Sequence, residues 1–141
     1  MQSWILYALL STLFAGGTAV VARLGLAGIT AELGLAVRTA FVFAMVSAFC
    51  AFAVPRLDFS SLTSRNIAWL AASALLTSLS WIFYYKAIKL GDVSTVALID
   101  KGSVVIAVLL AFIVLKEPLT LNKCAGGALM LAGLFLIARP S

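Results

Sequence analysis

The stretch VSTVALIDKGSVVIAVLLAFIVL, residues 93–115, decides the fold of this chain. Apart from Asp100 and Lys101 it carries no charge, and about 20 apolar residues suffice to cross a hydrocarbon core roughly 30 Å thick. Strands of an outer-membrane barrel alternate apolar and polar residues over about 10 positions, whereas Val104–Leu115 does not alternate. The stretch is therefore predicted to be a transmembrane α-helix.

Four more apolar segments follow the same pattern and are separated from one another by short polar breaks. The five predicted spans are Ser3–Ala22, Leu33–Val54, Ile67–Tyr85, Val93–Leu115 and Leu121–Ala138. We expect the first to be a membrane helix and not a signal peptide, because no Lys or Arg precedes it and its apolar run is too long. The chain is predicted to be an all-α integral membrane protein, a five-transmembrane-helix bundle forming a single domain over residues 1–141.

Composition supports this class and excludes several functions. The chain is 64% hydrophobic and 11% charged, whereas a soluble domain has about 45–50% apolar and about 25% charged residues. The ten Lys and Arg residues behind the net charge of +5 are scattered singly, which does not indicate a nucleic-acid partner. The absence of His argues against a His-based metal site. No nucleophile–base pair or phosphate loop is evident either, so we expect neither an enzyme nor a cofactor.

The breaks carry residues that end and begin helices. Gly91 suits the position after the third helix, where a left-handed residue is common, and Asp92 suits an N-cap of the fourth. Pro118 ends the fourth helix and Thr120 can cap the fifth. Turns this short require antiparallel neighbours, so the helices are predicted to run up and down in alternation, with the two termini on opposite faces.

Three charged residues lie inside predicted spans. Arg38 is about a turn and a half inside the second span, and Asp100 and Lys101 are about two turns inside the fourth, so each lies roughly 8–12 Å below its helix end. In an alternating bundle these ends share one membrane face, and a buried cluster with one carboxylate between two cations is predicted. The alternative is that the Arg38 and Lys101 side chains snorkel to the interface.

Polar side chains also form stripes on two predicted helices. Ser73, Thr77, Trp81 and Tyr84 share one face of the third helix, and Ser11 and Thr18 align on the first. Such hydroxyls commonly bond to their own helix or to a neighbouring helix. The alternative is that Ser11, Thr18, Thr77, Trp81 and Tyr84 line a hydrated cavity.

The Lys and Arg residues near the span ends are balanced between the two membrane faces. The face of the N-terminus receives Arg56, Arg65, Lys116 and Lys123, and the opposite face receives Arg23, Lys86, Lys89 and Arg139. An imbalance of these residues normally sets orientation. Either a weak bias set by finer details remains, or the chain inserts in both orientations. Two oppositely inserted copies with five spans each would form an inverted-repeat pair.

The order of these motifs resembles the EamA domain of the drug/metabolite transporter superfamily, in its short five-helix form. The resemblance covers nearly the whole chain and rests on Phe14–Gly25, Val37–Thr39, Leu79–Ala87, Leu90–Ser94, Ile99–Lys101, Lys116–Thr120 and the Gly126-Gly127 helix. Relatives often have Pro where this chain has Leu98, so a helix break at that position is not expected. Longer members are two such domains fused in inverted orientation, which implies that this chain is one inverted-repeat half.

The resemblance implies a secondary transporter of small organic metabolites in the cytoplasmic membrane, and the charge balance favours an antiparallel homodimer. The expected partners are the lipid bilayer, a second copy and a small-molecule substrate. The intramembrane charges sum to one positive charge, and Arg23 and Lys86 lie near the mouth, which favours anionic or zwitterionic solutes. One alternative is a non-transporting accessory or assembly subunit. The other, a cation-drug exporter, is disfavoured because the first span has no acidic residue.

Overall fold

The computed structural model describes residues 3–53 and 59–137, and every regular element in these ranges is helical. The helices are α1 (Ser3–Gly25), α2 (Ala31–Ala53), α3 (Ser64–Leu90), α4 (Val93–Asp100), α5 (Ser103–Leu115) and α6 (Leu121–Ile137), with a short 3-10 turn at Phe59–Ser61. This confirms the predicted all-α class. Val54, Arg56, Ala138 and Arg139, which entered the predictions, lie outside the described residues.

The helices have the length and apolar character that a membrane requires. Ser3–Gly25, Ala31–Ala53, Ser64–Leu90 and Val93–Leu115 each qualify as candidate spans, and Leu121–Ile137 is a shorter apolar helix. Large apolar side chains face outward along them, as at Phe52, which is 90% exposed. In lipid such surfaces are solvated, and the backbone polar groups are satisfied within each helix.

Several predicted helix ends fall short of the observed ones, including the start of α2, which is at Ala31 and not at Leu33. α1 continues to Gly25 beyond Ala22, and α3 covers Ser64–Leu90 rather than 67–85. The hydropathy pattern stops at Arg23 and Lys86, but the backbone continues because charged side chains at a helix end can reach polar partners outside the apolar layer. The C-terminal ends of α1 and α3 therefore extend beyond the apolar run of each helix.

The predicted fourth helix is interrupted. α4 ends at Asp100 and α5 begins at Ser103, and between them the Gly102 N–H donates to the Ile99 carbonyl at 2.9 Å. Val105 N–H donates to the Gly102 carbonyl at 3.1 Å, so the hydrogen bonds here span three residues, as in a 3-10 helix. The prediction of one continuous helix was wrong at this point, which lies close to Leu98.

The chain folds as two compact units. The first, Met1–Leu90, contains α1–α3, with α2 packed along α3 and α1 also in contact with α3. The second, Gly91–Ser141, contains α4–α6, with α6 packed against both α4 and α5. In the second unit a Cβ added at Gly102 would lie 2.9 Å from the Leu134 Cδ1 atom, so glycine permits the close approach of α6.

The helix caps agree with the sequence at two positions and differ at a third. Asp92 caps α4 by accepting from the Thr95 N–H at 3.0 Å, and Thr120 accepts from the Lys123 N–H at 3.3 Å, as predicted. The left-handed glycine predicted at Gly91 is wrong, because among the described glycines only Gly28, with φ 74°, has a positive φ. The C-terminal carbonyls of α3 are instead satisfied by a side chain of α1.

Candidate functional site

Arg38 is held on α2 against two aromatic rings of α3. Its guanidinium carbon lies 4.3 Å from the ring centroid of Trp81 and 5.9 Å from that of Tyr85. The rings are four residues apart, so they occupy one face of α3. Aromatic faces attract a cation, and the attraction grows when water is excluded. The two rings therefore hold the guanidinium in the first unit, and this half-buried position favours the internal interpretation over snorkelling.

One nitrogen of this guanidinium is left without an acceptor. The Arg38 Nη1 atom is buried and has no hydrogen-bond partner in the described part of the chain. Trp81 and Tyr85 approach the guanidinium with their aromatic rings, and neither residue accepts a hydrogen bond from the Nη1 atom. A buried unsatisfied donor costs about 1–3 kcal/mol, and more when it is charged. The site is therefore prepared to receive an acceptor.

A cavity of about 810 Å³ opens beside Arg38 between α1 and α2. Gly17, Val21 and Gly25 are on the α1 side, Phe41 and Met45 are on the α2 side, and further lining comes from Leu13, Phe14, Thr18, Ala22, Leu26, Ile29, Gly34, Val37, Arg38, Val42 and Tyr85. Both helices contribute residues at spacings of three and four, so each turns one face inward. The volume is in the range of small-molecule sites, about 300–1,000 Å³.

The predicted hydroxyl stripe is used mainly within its own helices. Thr18 donates to the Phe14 carbonyl at 3.0 Å, and Thr77 donates to the Ser73 carbonyl at 2.9 Å. Of the six polar candidates on α1 and α3, Thr18 also lines the α1–α2 cavity, whereas Ser11 and Thr77 are outside its lining. Bonding to the preceding turn and lining a cavity are therefore compatible for Thr18.

The aromatic members of the stripe lie on α3 near Arg38. Trp81 provides the nearer ring, and Tyr84 packs edge to face against Tyr85, with 6.5 Å between the ring centroids. Tyr85 is only 4% exposed, so it is among the best buried residues of the chain. This packing holds the Tyr85 ring, which is the farther of the two rings that contact Arg38.

Asp100 and Lys101 lie together at the junction of α4 and α5. The Lys101 Nζ atom is 3.9 Å from an Asp100 carboxylate oxygen, and both side chains are substantially exposed. Adjacent residues are close in any helix, so this distance does not test the predicted cluster. The pairing of Arg38 with Asp100 would join residues of the two separate units, and it stays a prediction.

The cations predicted near the cavity mouth are already engaged. Arg23 on α1 donates to the Ile88 carbonyl and, at 2.6 Å, to that of Lys89, and Lys89 in turn donates to the Leu26 carbonyl at 2.7 Å. Lys86 forms an ion pair with Glu32 at 3.5 Å. A cation at a helix C-terminus interacts favourably with the unpaired carbonyls. The bonds of Arg23 and Lys89 tie the ends of α1 and α3 together, and the Lys86–Glu32 pair links α3 to α2. These contacts leave less free positive charge than the sequence suggested.

Sequence reasoning missed both the aromatic contacts of Arg38 and the reciprocal caps. A signal for the first was available, because Trp81 and Tyr85 are spaced by one turn at a depth like that of Arg38. For the second, Arg23 and Lys89 each lie in the last turn of a helix. The consequence for chemistry is that Arg38 is the cation best placed to bind an anionic group beside the cavity.

Comparison with known proteins agrees with this membrane architecture. The model of a family described as EamA-like transporters matches residues 2–139. A relative from Sinorhizobium sp, described as an uncharacterized transporter in the cobO 3' region, is 37% identical over 137 residues, which cover 97% of each chain. No solved structure matches this chain.

Proposed function

This chain belongs to the EamA-like transporter family, and we propose that it is a secondary transporter of small anionic or zwitterionic organic metabolites across the cytoplasmic membrane. The observation that carries the choice of substrate charge is Arg38, held over Trp81 with a buried and unpaired Nη1 atom beside the cavity. Intramembrane ionisable groups are costly and usually serve function. A solute carboxylate would supply the missing acceptor.

We propose that the working unit is an antiparallel homodimer. The described cations Arg65, Lys116 and Lys123 oppose Arg23, Lys86 and Lys89 in equal number, so loop charge favours neither orientation. Two inverted copies would reproduce the pseudo-symmetry on which many transporters rely, and rocking of the two copies would alternate access to a central site. In such a pair the two Arg38 side chains would lie on opposite sides of the midplane.

The glycines of α6 support this helix as a contact between the two copies. A Cβ atom added at Gly126, Gly127 or Gly133 would meet nothing within 4 Å, so the surface there is open. Small residues allow membrane helices to approach closely. The fourth span is the competing candidate for this contact.

Two other functions are less well supported. A non-transporting accessory subunit would have little use for three costly charges inside spans, or for a cavity beside one of them. A cation-drug exporter needs an intramembrane acid for its substrate, and α1 has no acidic residue while the cavity is bordered by Arg38. Both observations favour the anion or zwitterion.

The substrate part of the proposal is tested by transport in proteoliposomes. Arg38→Gln is expected to abolish exchange of a labelled carboxylate, because it removes the positive charge and several of the guanidinium N–H donors. Arg65→Gln combined with Asn66→Arg makes the same chemical change at position 65, outside the cavity, keeps the number of loop cations that sets orientation, and is the matched control. If the two variants exchange the carboxylate equally, at equal amounts of folded protein, Arg38 does not bind the substrate.

The dimer part is tested by fixing the orientation. Two lysines added between α2 and α3 should select one orientation, and two added between α3 and α4 should select the other. Each variant alone should be inactive, and the two expressed together should regain transport. Glutamates at the same positions are the control, since acidic residues have little influence on orientation. Full transport by a single oriented variant would contradict the antiparallel pair.

A further inference from the structure

The lining of the α1–α2 cavity has one positive charge and is otherwise mostly apolar. Its charged member is Arg38, and the polar side chains besides it are Thr18 and Tyr85. The remaining lining residues are apolar or glycine, and no Asp or Glu is among the residues that line it in the described structure. The cavity therefore offers one cationic point on an otherwise apolar surface.

The Arg38 guanidinium favours a planar anion as its ligand. The Trp81 and Tyr85 ring centroids lie 4.3 and 5.9 Å from the guanidinium carbon, and Arg38 also lines the cavity, so the guanidinium lies between the rings and the cavity. Arg pairs with a carboxylate through two parallel N–H···O bonds in the plane of the guanidinium. The buried Nη1 atom of Arg38 has no such acceptor in the described chain. A carboxylate fits this requirement in both charge and shape.

The apolar walls discriminate against a second charge. An ammonium group on the same solute would be carried into the cavity, where no carboxylate among the lining residues could pair with it. An unpaired charge in such surroundings is strongly unfavourable. An apolar group, by contrast, packs against Phe14, Phe41 and Met45, which are 66–74% exposed and therefore have apolar surface left to cover.

The depth of Arg38 separates a solute from a membrane lipid. Arg38 is seven positions after Ala31, where α2 begins, and therefore lies roughly 10 Å inside the helix end. Lipid phosphates lie in the headgroup region, outside the hydrocarbon core. A small solute can reach this depth with its carboxylate, whereas a lipid would have to withdraw its headgroup into the core.

We propose that the α1–α2 cavity binds monocarboxylates with an apolar body, placing the carboxylate on Arg38 and rejecting the corresponding amino acids. This binding preference narrows the substrate class of the proposed transporter. Its physiological role rests on the proposed transport function. Binding itself requires no transport, so the two can be tested apart.

The test measures equilibrium binding of labelled 3-phenylpropionate to the purified protein in nanodiscs of zwitterionic lipid. The competitors are unlabelled 3-phenylpropionate, phenylalanine, which adds an ammonium, and 3-phenylpropionamide, which lacks the negative charge. We expect both altered compounds to compete at least roughly tenfold more weakly, and Arg38→Gln to reduce affinity by at least about tenfold while Arg65→Gln does not. The competitor series uses the unaltered protein, so it remains decisive if Arg38→Gln fails to fold.

Several outcomes would overturn the assignment. One is competition by phenylalanine equal to that of 3-phenylpropionate, and another is no saturable binding at all, which would leave the cavity to a second copy of the chain. Loss of binding in nanodiscs of anionic lipid, but not in zwitterionic lipid, would identify a lipid as the occupant.

Transport is scored separately by exchange in proteoliposomes. Selective binding without exchange would support the ligand class and count against the transporter function. Saturable exchange of phenylalanine without selective binding of 3-phenylpropionate would support the transporter function and count against the proposed ligand class.

Discussion

Replacing Arg23 with Gln is expected to loosen the end of the first unit where α1 and α3 finish. The Arg23 guanidinium donates to the carbonyl oxygens of Ile88 and Lys89. Both carbonyls belong to the last turn of α3, where no later N–H of the helix can reach them. Gln is shorter and uncharged, so it would leave at least one of them without its charged donor.

The size of the effect follows from the surroundings of the two bonds. The bond to the Ile88 carbonyl is partly buried, and Ile88 has no exposed surface, whereas the bond to the Lys89 carbonyl is exposed. A hydrogen bond to a charged group contributes about 1.5–3 kcal/mol, and exposed charge interactions contribute about 0–1 kcal/mol. We therefore expect Arg23→Gln to lower the free energy of unfolding by about 2–3 kcal/mol.

The assay is equilibrium unfolding in mixed micelles by titration with dodecyl sulfate, followed by tryptophan fluorescence and circular dichroism. Arg65→Gln is the matched control, because it removes the same charge near the other end of α3, and surface changes of this kind stay within about 0.5 kcal/mol. Lys89→Gln should be destabilising as well, since Lys89 donates to the Leu26 carbonyl at 2.7 Å. If Arg23→Gln unfolds within about 0.5 kcal/mol of the Arg65→Gln control, the capping argument is refuted.

Two further predictions concern the second unit. Gly102→Ala should destabilise the protein by about 1–3 kcal/mol, because the new Cβ would lie 3.0 Å from the Ile99 carbonyl oxygen and 2.9 Å from the Leu134 Cδ1 atom. Gly16→Ala in α1, which meets open space, should be nearly neutral in the same titration. Hydrogen bonds from the Ser94 hydroxyl and from the first turn of α4 hold the pKa of Asp92 below its ordinary value of 3.8. A lowered pKa adds stability that is complete above the unfolded value and is lost as pH falls through the folded value. Asp92→Asn should thus be less stable than wild type near neutral pH and converge with it in acid, and a constant difference across this range would contradict the assignment.

The spans and the local caps were predictable because their causes are local. A run of apolar residues such as Val104–Leu115 has few alternatives in lipid, where each segment must satisfy its own backbone groups. The caps at Asp92 and Thr120 each use a backbone N–H three residues later, so they need no contact with another helix. The close ion pair of Asp100 with Lys101 is likewise between sequence neighbours.

The surroundings of Arg38 were less predictable because they depend on which sides of two helices meet. The sequence placed Arg38 inside a span and predicted the Asp100 carboxylate as its partner, which stays a prediction, but it did not indicate the rings of Trp81 and Tyr85. Membrane helices that are apolar all round carry little information about which face turns inward. Depth below the membrane surface could be read from the sequence, whereas rotation about the helix axis could not.

The residues alone therefore establish an all-helical membrane protein, the approximate limits of its spans and the charges that lie within them. These features follow from the length and the solvation of each segment taken separately. Packing adds what depends on distant parts of the chain. Arg23 reaches a carbonyl 66 positions away, α4 and α5 separate at Gly102 where α6 approaches closely, and Arg38 acquires aromatic neighbours beside an apolar cavity. Each of these features requires two helices to meet at one rotation and one register, and that choice is made by the fit of their side chains.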